Sequence, residues 1–387
     1  MHEREFVERI RGLVPMLEAH AGEAERDRKP VDSVMAAVEE TGAYRFFVPK
    51  RYGGWEFGLD TFMDVGLLLG EGCVSTAWVV TFCMEHNWLL GLFNQQAQDE
   101  IFGEFPYIIA PGTLAPRGTA EPVDGGYRVS GRWQWGTGVM HANWVMVGAL
   151  TPSADPEKPD LCMYLIPREE VDVLDTWHVA GMVGTGSNDI EVKDVFVPGH
   201  RMQSVSHMRD GGSPGAALHG TPTYRMPMMP VLGLTAAAPA VGGARRAVAL
   251  FRELLGERNV YGTTEKQGQR AIAQARLAHA QIAVENAQIL LKDTARRVME
   301  WGESGERCPD VERAHLRLKI ATVVRQARDV VQQVVEACGA GAHFLDSPLQ
   351  RIQRDLNTLS CHTVFDMDVG GELYGRLLLG LPANAPV

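Results

Sequence analysis

The apolar residues of this chain change their spacing twice, and that double change restricts the fold more than any single motif. From Phe6 to about Phe105 they recur at helical intervals, as in Val7, Ile10, Val14 and Leu17, the three-to-four spacing of a one-sided helix. Pro49, Gly53 and Gly54 interrupt the pattern, which resumes from Thr61 to Phe93 as one long apolar helix or two. From Ile108 to about Val205 the interval falls to two. Tyr127, Val129, Trp133 and Trp135 alternate with polar or small residues, as in a half-buried strand. Trp144–Leu150 and Leu161–Ile166 are unbroken apolar runs suited to central strands, and Asp124-Gly125-Gly126 marks a hairpin.

Beyond a proline-rich stretch from Pro214 to Pro230, helical spacing returns in Val241–Leu255, Gln267–Trp301, Val311–Cys338 and Leu349–Leu359. Long helices joined by short loops suit an antiparallel four-helix bundle. The expectation is an α+β chain in three parts: a helical domain over 1–107, a β-domain over 108–210 and a helical bundle over 211–387. A long uncharged run, Met226 to Ala244, holds Pro227, Pro230 and Pro239. A buried loop and helix is therefore expected there rather than a membrane span.

Charge and cysteines narrow the function classes. A net charge of -11 over 387 residues, with a pI near 5.6, argues against nucleic acid or an anionic membrane as partner. The six cysteines form no CxxC pair, and the charged start Met1-His2-Glu3-Arg4 has no apolar core. Reduced thiols in a cytoplasmic protein are expected. The histidines show no metal-ligand spacing, so no metal is expected.

Arg258, Tyr261, Gly262 and Gln269, then Gly339-Ala340-Gly341 and Arg351-Ile-Gln-Arg354-Asp355, resemble the C-terminal signature of the acyl-CoA dehydrogenase superfamily. The resemblance covers the whole chain. It implies that family's fold: an N-terminal helical domain, a central β-domain and a C-terminal four-helix bundle, usually assembled as a homotetramer. It also implies that Arg258, Tyr261, Gln269, Gly339 and Gly341 hold a flavin, with Arg258 reaching a neighbouring subunit's cofactor near its phosphate or ribose. Arginine suits that role as a charged, often bidentate phosphate donor. Where many dehydrogenases of the family carry a catalytic glutamate, this chain has Cys361-His362-Thr363.

Two further stretches resemble one branch. Gly131-Arg-Trp-Gln-Trp135-Gly-Thr137-Gly138 and Asp175–Asp189 are similar to the flavin-side strand and loop of two-component flavin monooxygenases of the 4-hydroxyphenylacetate 3-hydroxylase and steroid-catabolic phenol hydroxylase type. The resemblance implies flavin contacts from Trp135, Thr137, Thr185, Gly186 and Ser187, the Thr137 hydroxyl standing near the flavin N5. It implies a catalytic pair, His86 as base toward a phenol and His362 beside the flavin. Trp88, Met226 and Met228 would wall the aromatic substrate. Reduced FMN or FAD and dioxygen would then work through a C4a-hydroperoxide in a cavity lined by imidazoles rather than acids. No GxGxxG fingerprint follows a strand, so a separate NAD(P)H:flavin reductase is expected to supply the reduced flavin. The same chemistry on an indole, a heteroaromatic sulfur or an amine is the alternative. An acyl-CoA dehydrogenase is a more distant one, because no Asp or Glu occurs between Asp210 and Glu253.

Overall fold

The structure, a computed structural model, describes residues 1–153 and 159–385. The chain opens with helices α1 (Glu3–Asp27), α2 (Asp32–Glu40), α3 (Leu59–Gly72), α4 (Val74–Leu90) and α5 (Gln95–Glu104). Strands β1 (Gly112–Val123), β2 (Gly126–Trp133), β3 (Trp144–Thr151), β4 (Asp160–Pro167), β5 (Asp172–Leu174), β6 (Asp189–Pro198) and β7 (Met202–Ser204) follow. The remainder is helical: α6 (Val205–Arg209), α7 (Pro214–His219), α8 (Met228–Glu257), α9 (Ala271–Ser304), α10 (Asp310–Cys338), α11 (Pro348–Leu359) and α12 (Met367–Leu378). This is the mixed helix-and-sheet architecture that the spacing and the resemblance imply.

The strands form one sheet in the order β5-β6-β2-β1-β3-β4-β7. Val123 pairs with Gly126 across the turn at Asp124-Gly125, where Gly125 takes a positive φ of 75°. The unbroken apolar runs are β3 and β4, which are not edge strands. One face of this pair places Val145, Val147, Tyr164 and Ile166 in the sheet's own core. The other places Met146, Met163 and Leu165 in the helical core. Strands covered on both faces have no side left for polar residues.

The helical core is continuous from Phe6 to Phe365, so the N-terminal helices and the bundle share it. The sequence expectation started the first bundle helix at Val241; α8 starts at Met228. Pro230 falls in the first turn, where an amide N–H has no helical partner to lose. Pro239 lies inside the helix. The uncharged run is thus a buried helix rather than a linker and helix, and its small residues let α3 approach closely. A Cβ on Gly66 would come within 2.5 Å of Ala238 Cβ, and one on Gly242 within 2.2 Å of Leu67 O. Gly242→Ala is therefore expected to cost about 1–3 kcal/mol by overpacking. Urea unfolding measures it, and an unshifted midpoint would show that α3 and α8 do not meet at this residue. The helix expected from Gln267 begins as a 3-10 turn at Gln267–Gln269, and α9 proper starts at Ala271. Among the described residues no helix is long and apolar enough to cross a membrane.

Candidate active site

Helix α4 is apolar on all sides, and its polar side chains stand out for that reason. Trp78, Phe82 and His86 follow one another at i, i+4 and i+8, so they share one face. Trp78 and Phe82 lie 4.5 Å apart between ring centroids, and Phe82 meets His86 edge-on at 5.7 Å. From the far end of the chain, His362 packs against Trp78 at 5.7 Å. The two histidines that the resemblance singled out thus stand at opposite ends of one aromatic wall.

His86 is buried and its Nδ1 lies 2.6 Å from Ala110 O. A carbonyl only accepts, so Nδ1 carries the proton and Nε2 keeps its lone pair. Burial pushes the imidazole down to about 4, which keeps it neutral near pH 7. A Cβ on Gly112 would come within 2.6 Å of Nε2, so β1 is glycine where it passes the ring. His362 is half-buried and accepts from Val364 N–H at Nδ1 (3.3 Å). It is also held neutral by burial, at about 4. It lines a cleft with Arg325, Arg328, Cys361, Phe365 and Asp366.

Beside Trp78, three buried hydroxyls meet. Thr137 Oγ1 lies 3.0 Å from Ser187 Oγ, which lies 2.8 Å from Thr185 Oγ1. The ends fix the direction of this chain. Trp78 Nε1 can only donate, to Thr137 at 3.4 Å, and Met182 O can only accept, from Thr185 at 2.9 Å. Each hydroxyl proton therefore points toward Met182, and Thr137 offers outward a lone pair rather than a proton. Nearby Trp135 holds a left-handed backbone (φ 68°) and is 54% exposed. A bulky residue in that region is strained, and strain of this kind clusters at ligand sites.

The loop carrying Thr185, Gly186 and Ser187 is clamped by Asp355 of α11. Buried Asp355 accepts from Met182 N–H at 2.6 Å and from Ser75 Oγ at 3.1 Å. Its neighbour Arg354 donates to Ala180 O at 2.7 Å and pairs with Glu25. Desolvation raises the Asp355 carboxyl to about 6, against the pull of its two donors.

At the end of α8, Arg258 donates through Nη1 to Cys338 O at 3.1 Å. A Cβ on Gly341 would lie 2.7 Å from Arg258 Nη2. Gly341 therefore makes room for that guanidinium, whereas Gly339 serves by its left-handed backbone (φ 66°) at the end of α10. Tyr261 is fully exposed, and Gln269 accepts from Lys266 N–H through Oε1 at 2.9 Å. Trp88 is fully buried with its indole donating to Thr223 O, and Met226 and Met228 are buried in the helical core.

Sequence reasoning named Asp355 only as part of a signature, and it left out three further residues that the structure brings into this region: Trp78, Phe82 and Glu85. The spacing of 78, 82 and 86 was available as a signal, but on a helix apolar all round it singles out no face. Glu85 places an acid beside one of the two imidazoles. It is 1% exposed, and its Oε2 lies 3.6 Å from His86 Nε2. Burial raises its carboxyl well above the usual range.

The donor set suits a flavin. The accepting Thr137 hydroxyl beside the exposed Trp135 indole suits the ring of a flavin, and Arg258, with Gly341 leaving room for it, suits the phosphate of one bound by a neighbouring subunit.

Residues 234–367 match the model of the acyl-CoA dehydrogenase C-terminal domain. The chain is 35% identical to a pigment production hydroxylase of Rhodococcus sp., across 99% of this chain and 98% of that protein. It is 33% identical to HsaA, the oxygenase subunit of a flavin-dependent monooxygenase of Rhodococcus jostii, across 97% and 98% of the two. Among solved structures, XiaF from Streptomyces sp., in complex with FADH2 and glycerol, matches with a TM-score of 0.93 at 29% identity, covering 99% of this chain and 97% of XiaF. Similarity that runs the length of both partners, on this fold, means that the chain is an enzyme of the flavin-dependent monooxygenase branch of the acyl-CoA dehydrogenase superfamily.

Proposed function

We propose that the protein is the oxygenase component of a two-component system. A separate NAD(P)H-dependent reductase would supply reduced FMN or FAD, and this chain would use it with dioxygen to hydroxylate a phenolic aromatic compound. The naming of HsaA as an oxygenase subunit and the FADH2 in XiaF support this reading. The observation that carries it is the wall of Trp78, Phe82 and His86, which ends in a neutral imidazole with a free acceptor nitrogen.

When bound, reduced flavin supplies the activation of dioxygen for transfer of one oxygen atom, by the route that the resemblance implies. The chain's own residues do the rest. Thr137 Oγ1 presents a lone pair, which suits a partner bearing an N–H, as the reduced ring does. Trp135, Thr185, Gly186 and Ser187 shape the loop around that ring. Arg258, with Gly341 leaving room for its guanidinium, would hold the phosphate of a neighbouring subunit's flavin. Exposed Tyr261, with Gln269 on the same segment, would reach the flavin of a second copy in a cytoplasmic homotetramer.

Trp78 and Phe82 would flank the substrate ring, backed by Trp88, Met226 and Met228. His86 Nε2 would take the phenolic proton, leaving a phenolate whose ortho carbon is the stronger nucleophile. His362, across Trp78, would hydrogen-bond to the transferred oxygen or the substrate oxygen. Packing this dense excludes water from the reacting atoms.

The test supplies reduced FMN or FAD from an unrelated reductase, with labelled dioxygen and a panel of phenols. One labelled oxygen atom in an ortho-hydroxylated product is expected. Hydrogen peroxide alone with every phenol, or reduction of oxidised flavin by an acyl-CoA thioester, would overturn the reading.

A further inference from the structure

Nearly every buried polar group along α4 finds a partner. Thr81 donates to Trp78 O, Asn87 bridges Cys83 O and Ile108, Trp88 donates to Thr223 O, and His86 Nδ1 meets Ala110 O. Among the described residues, Glu85 Oε1 is the one buried side-chain atom of this helix without a hydrogen-bond partner. The carboxyl is 1% exposed, and the ionisable group beside it is His86, whose Nε2 lies 3.6 Å from Oε2. That separation is too long for a hydrogen bond. Burying such a group unpaired is costly, and native structures tolerate it chiefly where a ligand or function supplies the partner.

The position of Glu85 narrows what that partner is. Position 85 is seven residues beyond Trp78 and three beyond Phe82, so it shares their face of the helix. Its carboxyl reaches back to His86 Nε2, the nitrogen that the proposed function assigns to the phenolic proton. A ring held along Trp78 and Phe82 with its hydroxyl at Nε2 would bring another ring substituent to Glu85. A hydroxyl or amino group there would satisfy Oε1; a methyl group would leave it orphaned; a carboxylate would face another acid.

We propose that Glu85 is a specificity-determining residue. It selects aromatic substrates that carry, besides the hydroxyl received by His86, a second hydroxyl or amino group. The inference rests on the proposed function for the role of His86, but its test needs neither turnover nor oxygen.

The full-length protein would be titrated anaerobically, with and without reduced flavin, with the dihydroxybenzenes, the aminophenols and the methylphenols as probes. At least one hydroxy- or amino-bearing isomer should bind about tenfold or more tighter than the methylphenol of the same pattern, in one condition or both. Glu85→Gln, whose amide both donates and accepts, should keep that preference within about threefold. Glu85→Leu should abolish it while raising the unfolding midpoint, since an orphaned buried carboxyl is removed. No preference in the wild type, or a preference that survives Glu85→Leu, overturns the proposal. Should Glu85→Leu not fold, loss of preference in the wild-type comparison still decides it. Failure of the labelled-oxygen assay with all phenols would strike the proposed function instead, leaving the binding preference as a separate result.

Discussion

Hydroxylation by the His86→Ala variant is expected to fall by about 10²- to 10⁴-fold, while reoxidation of reduced flavin by dioxygen keeps its wild-type rate. The reason is geometric first. Ala110 O fixes the imidazole tautomer, Phe82 and Gly112 fix the ring plane, and Nε2 is left as a base at the end of the aromatic wall. Alanine removes the proton acceptor without touching the Thr137–Ser187–Thr185 relay. Stopped-flow absorbance would follow the flavin, and quenched samples would follow product. The wild type should also show a characteristic pH profile. With the imidazole pushed down to about 4 by burial, Nε2 stays available as pH falls from 8 to 5, and activity through this group is lost only as pH approaches 4. A variant that hydroxylates at the wild-type rate would show His86 to be a buried structural histidine.

How much of this was legible beforehand differs between fold and site. The two changes of apolar period lay out the helical, sheet and helical parts because burial geometry dictates period directly. Boundaries were less legible where proline intervenes: Pro230 and Pro239 read as breaks, yet one sits harmlessly in a first turn and the other inside a helix packed on the small residues of α3. Thr137, Thr185 and Ser187 come from two loops about fifty residues apart, and only the resemblance pointed to both. Their shared hydrogen-bond direction arises only in the folded chain, since it depends on Trp78 at one end and Met182 O at the other. Glu85 was overlooked for a plain reason. A glutamate on a helix is ordinarily solvated, and nothing local in Cys83-Met84-Glu85-His86 says that this one is sealed in the core.

Asp355→Ala is expected to lower stability by about 3 kcal/mol and to weaken flavin binding by at least about tenfold, although the carboxyl lies in α11 and is proposed to touch neither flavin nor substrate. It would leave Met182 N–H and Ser75 O–H buried without an acceptor, and each orphaned group costs about 1–3 kcal/mol. Met182 holds a left-handed backbone (φ 58°) and its carbonyl ends the hydroxyl relay, so losing the clamp would disorder the direction in which Thr137 presents its oxygen. Asp355→Asn should retain binding, because its carbonyl can accept from Met182 and its amide can meet Ser75. The pair also isolates the carboxyl's own titration. Its folded value, raised to about 6 from 3.8 by desolvation, means that the unfolded chain releases this proton first. The stability that the protonated clamp contributes is therefore complete below about pH 4 and is lost as pH rises to about 6. Relative to Asp355→Asn, the wild type should thus lose up to about 3 kcal/mol across that window and run parallel to it above. Urea unfolding at pH 4, 5, 6 and 7 measures the difference. Parallel curves throughout would mean that Asp355 is already ionised in the native clamp, with Arg354 and its two donors outweighing burial.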